Sequence, residues 1–222
     1  IKRNPEIEMD DRLLLDKIDH INNNVIINKK SYDMLDMDFP TVDKDAPYAL
    51  SKEEEIVVEK IKHAFTHSEK LQRHIRFLYT KGSMYKIYNS NLLYHGCVPL
   101  DENGEFKKVS IFGDDYSGKA LYDVLEHYAR KGFFSKNPEN KRKGEDILYY
   151  IWANPNSPVF GKDKMATFET YFVEDKEVRK EKKNKYYELL DDEKTVDKIL
   201  KEFSLDPRYS HIINGHVPVE QK

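Results

Sequence analysis

The stretch Ser90–Leu100, SNLLYHGCVPL, constrains this chain more than any other. Asn91 to Tyr94 is a short apolar run without charge, His95 and Gly96 end it, and Pro99 opposes its continuation. An apolar run of this length bounded by Gly and Pro reads as a buried strand running into a loop. The strand end then carries an imidazole, and Gly96 lets backbone or ligand approach closely. The same wording returns at the far end, in Ile212-Ile213-Asn214-Gly215-His216-Val217-Pro218-Val219. Two strand-end histidines, His95 and His216, can converge from neighbouring strands on one metal ion.

A chain of 222 residues can bury one substantial core, or one domain with a small extension. Its 15 Tyr and 11 Phe support a folded core. The 37 basic and 40 acidic residues give a net charge of -3, which argues against a nucleic-acid partner bound by phosphate neutralisation. The lone Cys97 excludes an intramolecular disulfide and fits a reducing compartment. It lies close to His95 in sequence, so ligation is conceivable, but a buried thiol is the commoner state of a free Cys. No run of about 18 apolar residues and no signal-peptide pattern is present. A soluble, cytoplasmic protein without a membrane partner is expected.

Residues 1–50 are polar and mixed, with a hairpin expected between Leu13–Ile18 and Val25–Ile27 and a loop over Met34–Pro47. Ser51-Lys52-Glu53-Glu54 is a capping box that opens a helix, in which Ile56, Val57, Ile61, Ala64 and Phe65 recur with helical period. A second helix with Leu71, Ile75, Phe77 and Leu78 ends near Gly82 and carries a basic face of Lys70, Arg73, His74 and Lys81. After the His95 strand come a turn over Asp101–Glu105, a strand over Lys108–Phe112 and a tight turn at Gly113–Tyr116. Next come a helix over Ser117–Lys131, a basic loop over Asn137–Lys143 and a helix over Glu145–Ala153. In Val159–Lys164, a Gly flanked by lysines after a Pro-bounded turn can wrap a phosphate. It can equally be the exposed start of a helix over Met165–Phe172. The charge run Asp175–Lys185 reads as a solvated face or mobile loop, and Thr195–Phe203 as a helix before the His216 strand. This order suits the second half of an α/β fold.

NLLYHGCVPLDENGEF and HIINGHVPV resemble the fourth and fifth blocks of the class III fructose-1,6-bisphosphatases, members of the calcineurin-like metallophosphoesterases. The resemblance extends through EMDDRLLLDKI, HSEKLQRHIRFLYTKGSMY and SPVFGKDKMATFETYF, and so over nearly the whole chain. It implies the second half of a metallophosphoesterase β-sandwich flanked by helices, with a mainly helical insertion. Residues 1–50 would then be a polar extension and 51–222 a partial domain. It further implies hydrolysis of fructose 1,6-bisphosphate to fructose 6-phosphate, in gluconeogenesis, by a dinuclear divalent-metal centre, with Mn²⁺ the expected ion. His95 and His216 would be metal ligands, and Lys162, Lys164, Arg73 and Lys81 candidates for contact with substrate phosphate. The family's aspartate–His strand end, its Gly-Asp-x-x-Asp-Arg turn and its Gly-Asn-His-Asp turn are not in this sequence; Gly113-Asp114-Asp115-Tyr116 lacks the second Asp and the Arg. The chain is therefore expected to be a fragment whose partner is an upstream segment carrying the catalytic residues. Alone it should be inactive, and association with a second copy stays open. Two other readings remain: a metallophosphoesterase acting on phosphoproteins or other phosphate esters, and a non-enzymatic helical interaction module.

Overall fold

The computed structural model describes residues 1–216; Val217, Pro218 and Val219 of the second strand-end stretch lie outside the described residues. Among the described residues the strands are β1 (Ile18–Asp19), β2 (Asn24–Ile27), β3 (Lys30–Asp33), β4 (Tyr85–Tyr88), β5 (Asn91–Tyr94), β6 (Val109–Ile111), β7 (Asp114–Tyr116) and β8 (His211–Asn214). The helices are α1 (Lys52–His67), α2 (Glu69–Lys81), α3 (Gly118–Phe134), α4 (Pro138–Ala153), α5 (Thr167–Phe172) and α6 (Glu193–Glu202). This mixed α/β chain forms two compact units, one from residues 8–82 and 166–180, the other from residues 1–7, 83–165 and 181 onward.

In the unit of residues 8–82 and 166–180, β1, β2 and β3 form an antiparallel sheet. β2 pairs with β1 only at Ile18↔Val25 and Asp19↔Asn24. Before Ile18 the chain runs in 3-10 turns, so little of Leu13–Ile18 is strand. The fuller partner of β2 is β3, joined through Asn28 and Lys29 at φ of 51° and 64°. Positive φ at both central residues lets a two-residue turn match the strand twist. Leu14, Val25, Ile27, Val173 and Val178 make this unit's core. Beside it the Arg12 guanidinium donates to the fully buried Glu169 carboxylate at 2.7 Å. Ser51 and Glu54 form both bonds of the expected capping box at the start of α1. Yet α1 and α2 bury no residue, and Ile56, Val57, Ile61, Phe65, Phe77 and Leu78 are each more than half exposed. Helical period thus identified the helices without identifying a core. Residues Asp175–Lys180 are largely the solvated face expected, anchored by Arg179, which donates twice to the Val173 carbonyl, and by the buried Val178.

In the other unit β4, β5 and β8 form a sheet in that order, β4 antiparallel to β5 and β8 parallel to it. The β4–β5 turn again has two positive-φ residues, Asn89 and Ser90. Phe112 and Gly113 turn β6 into β7, so the expected tight turn continues as a strand. α4 begins at Pro138 rather than Glu145. The Asn137 side chain accepts from the Glu139 and Asn140 N–H groups, and Pro138 occupies the first turn, where it lacks no needed donor. The basic loop expected over Asn137–Lys143 is therefore a capped helix start. α3 packs on α4 at Gly132 and Gly144, where a Cβ on either glycine would meet the other's Cα at 2.5 Å. Leu92, Tyr94, Cys97, Val98, Tyr122, Ile199 and Phe203 lie in the core of this unit. No helix among the described residues is long and apolar enough to cross a membrane.

Gly144→Ala will lower stability by about 1–3 kcal/mol in thermal or urea unfolding, because overpacking against backbone outweighs the roughly 1 kcal/mol that Ala gains in helix propensity. Unchanged or raised stability would refute the close helix crossing. Arg12→Met will cost about 3–5 kcal/mol by stranding the Glu169 carboxylate; a loss below about 1 kcal/mol would mean the pair contributes little.

Candidate metal centre

The parallel register of β5 and β8 sets Tyr94 opposite Asn214. Both strands therefore end at the same edge of the sheet, β5 running into His95 and β8 into Gly215 and His216. The Gly215 N–H donates to the His95 carbonyl at 3.0 Å, and the Asn214 side-chain amide donates to the Gly96 carbonyl at 3.1 Å. On its other side the loop is held by the Cys97 N–H, which donates to the Pro158 carbonyl at 2.8 Å. Gly96 permits this approach, since a Cβ there would fall 2.2 Å from the Pro158 oxygen. His216 sits at φ 70°, a left-handed conformation uncommon outside Gly and concentrated at functional positions.

The consequence is that His95 Nε2 and His216 Nδ1 lie 3.1 Å apart, with ring centroids at 5.0 Å and planes at 77°. The pKa of His216 is lowered, first by desolvation, then by the neighbouring His95 and by the charge of Lys162, with the Phe160 backbone working in the opposite direction. The ring is thus held neutral at neutral pH, the state in which imidazole nitrogen ligates a metal. A 3.1 Å separation is short enough for both nitrogens to hold one ion. Neutral imidazoles suit Mn, Fe or Zn, so the donors fit part of a divalent-metal site. They do not make a whole one, since no group of three or more His, Cys, Asp or Glu residues is placed for a metal among the described residues.

Cys97 is not placed as a ligand. It is fully buried, and desolvation pushes its thiol up to about 12, while its carbonyl accepts from the Tyr122 hydroxyl at 2.9 Å. Lys162 lies in the same unit as the histidines, pairs with Glu181 at 2.8 Å, and is near enough to His216 to shift it. It forms a backbone bridge with Lys183 rather than the start of a helix. Lys164 follows in the same unit and is half-buried. Arg73 and Lys81 are on α2, in the other unit. Sequence reasoning missed Asn214, whose side chain ties the two strand ends together, and Pro158, whose carbonyl receives Cys97. Asn before Gly reads as an ordinary turn signal, so nothing local marked Asn214 as a tether.

Gly96→Ala will destabilise the fold by at least about 2 kcal/mol, because the obstructing atom is a backbone carbonyl with little room to move. Matching melting temperatures for Gly96→Ala and the parent would show that the His95 loop is looser than described.

The model of the Firmicute fructose-1,6-bisphosphatase family matches residues 1–222. The fructose-1,6-bisphosphatase class 3 of Clostridium botulinum (strain Kyoto / Type A2) is 52% identical over 223 residues, which is 100% of this chain and 33% of that relative. The protein of the same name from Clostridium novyi (strain NT) is also 52% identical, with 34% of its length covered. No solved structure matches the chain. The chain spans about a third of the length of the curated relatives it matches. With its motifs, its strand-end histidine pair and a family match along its entire length, the chain belongs to the Firmicute fructose-1,6-bisphosphatase family.

Proposed function

We propose that this chain supplies one part of a dinuclear metal centre in a longer polypeptide that hydrolyses fructose 1,6-bisphosphate to fructose 6-phosphate and phosphate. The observation that carries this reading is the His95–His216 contact of 3.1 Å at the ends of two parallel strands. A helical interaction module without chemistry has no need to bring two imidazoles together beside a lysine.

When bound, the metals supply Lewis acidity toward the phosphoryl group, and Mn²⁺ is the ion we favour. His95, through Nε2, and His216, through Nδ1, would hold one of them, and the hydrogen bonds from Gly215 and Asn214 fix the two loops that present those rings. Lys162 contributes positive charge beside this pair, where it stabilises phosphoryl oxygens electrostatically. Lys164, Arg73 and Lys81 remain candidates for the same task. The further ligands would come from the rest of the polypeptide. Residues 51–222 then form part of a metallophosphoesterase β-sandwich, residues 1–50 are its extension, and the enzyme works in gluconeogenesis in the cytoplasm.

Ligand counting gives the test. Two neutral imidazoles hold a divalent ion loosely, and no carboxylate cluster among the described residues joins them. The purified 222-residue chain with Mn²⁺ will release phosphate from fructose 1,6-bisphosphate no faster than background. The full-length protein will turn it over, and His95→Ala in that protein will lower kcat/KM by at least about a hundredfold. Robust turnover by the 222-residue chain, abolished by His95→Ala, would show that the site has been miscounted.

A further inference from the structure

Behind Lys162 lies a cleft of about 430 Å³, within the range of small-ligand sites. Lys107, Lys162, Lys182, Lys183 and Lys185 line it. Its position follows from a short backbone ladder. Lys162 bridges Lys183, the Asp163 N–H donates to the Lys182 carbonyl at 2.8 Å, and the Asn184 N–H donates to the Gly161 carbonyl at 2.9 Å. The end of the charge run is thereby paired along the Gly161 loop. Asn184 completes the clamp, since its side-chain oxygen accepts from the Leu100 N–H at 3.1 Å and the Tyr186 N–H at 3.0 Å.

Three carboxylates, Asp101, Glu102 and Asp163, also line the cleft. Two of them are engaged by backbone: Asp101 accepts from the Asn103 and Glu105 N–H groups, and Asp163 from the Lys182 N–H at 2.7 Å. Of the ammonium groups, Lys162 is paired with Glu181 and Lys185 with Glu188. With Glu181 and Glu188 counted the charges of this region balance, and among the described residues the ammonium groups of Lys107, Lys182 and Lys183 are the ones in the lining that carry no ion pair. Lys162 lines this cleft and follows Gly161, where an added Cβ would stand 3.4 Å from Cys97 Sγ in the loop that carries His95. A ligand spanning the two places needs an anionic group at each end.

We propose that this lysine cleft binds the distal phosphate of the bisphosphate substrate, the one that is not transferred, while the His95–His216 end receives the phosphate that is hydrolysed. The inference rests on the fructose-bisphosphatase reading and adds to it the positioning of the substrate's second charge. The lysines act as point charges and hydrogen-bond donors to phosphate oxygens. Lys107, Lys182, Lys183 and Lys185 hold the same group before and after hydrolysis, so they contribute uniform binding rather than stabilisation of the transition state.

The test uses full-length enzyme with Lys183→Ala and Lys185→Ala combined, and Lys201→Ala, which lies outside the cleft, as a control. Kinetics on fructose 1,6-bisphosphate and competitive inhibition by fructose 6-phosphate, which keeps the distal phosphate, are measured for each, with thermal unfolding to verify folding. For the double variant, KM and the inhibition constant will rise together by about tenfold or more while kcat stays within about twofold. Lys201→Ala will change neither. An unchanged KM, or a fall in kcat at constant KM, overturns the assignment while leaving the enzyme reading intact. A loss of folding in the double variant transfers the test to Lys185→Ala alone, judged by the same two constants. A wild-type enzyme without turnover on fructose 1,6-bisphosphate removes the enzyme reading and this inference with it.

Discussion

The parallel pairing of β5 with β8 is the constraint on which the candidate centre depends. Parallel strands end on the same side of a sheet, so any chemistry carried just beyond each strand is delivered to one place. Register does the rest. Leu92 pairs with Ile212 and Tyr94 with Asn214, and Leu92 and Tyr94 face the core. A slip by one residue would turn both toward the opposite face and separate the two loops. The Gly215–His95 and Asn214–Gly96 hydrogen bonds extend the same register past the strands, into the segment where the imidazoles stand.

A second ladder works by similar means on the other side of the His95 loop. Pro158 receives the Cys97 N–H, and a few residues later Gly161 and Asp163 pair with the 182–184 segment. The buried Cys97, which lines neither ladder with its thiol, keeps the loop packed against Tyr122 and Tyr187. The charged side chains of this region thus sit on backbone that is hydrogen-bonded on both edges. Such backbone holds a lysine cleft open against the mutual repulsion of its ammonium groups.

Much of the local architecture was legible. The strand over Asn91–Tyr94, the capping box at Ser51 and the helix end at Gly82 each follow from residue type and spacing, and the structure places them there. What escaped was decided elsewhere. The β4 strand is exposed on much of its length and enters its hairpin through Asn89-Ser90, without the Gly that usually marks such a turn. The start of α4 was hidden because its first turns are polar and basic, while the signal that mattered was the single cap at Asn137. Of the lysine cleft, the sequence marked only the Lys162 loop as a phosphate contact; its other lysines are distant in sequence, and those of 182–185 lie in what reads, alone, as a solvated charge run. The meeting of His95 and His216 was suggested by repeated wording, but its distance came only from strand register.

The same parallel pairing has a consequence for how the chain is made. β5 leaves the ribosome long before β8, with α3, α4, α5 and α6 emerging in between. Until the last strand arrives, one edge of β5 stays unpaired, and parallel partners distant in sequence find each other slowly. A nascent chain ending at Ser210 holds one imidazole of the pair and a bare strand edge. Residues 211–216 are therefore the ones that bring the second imidazole to the first. Formation of the histidine pair is thus coupled to the arrival of β8, and a product that ends before it has an unpaired edge on β5 and one imidazole of the pair.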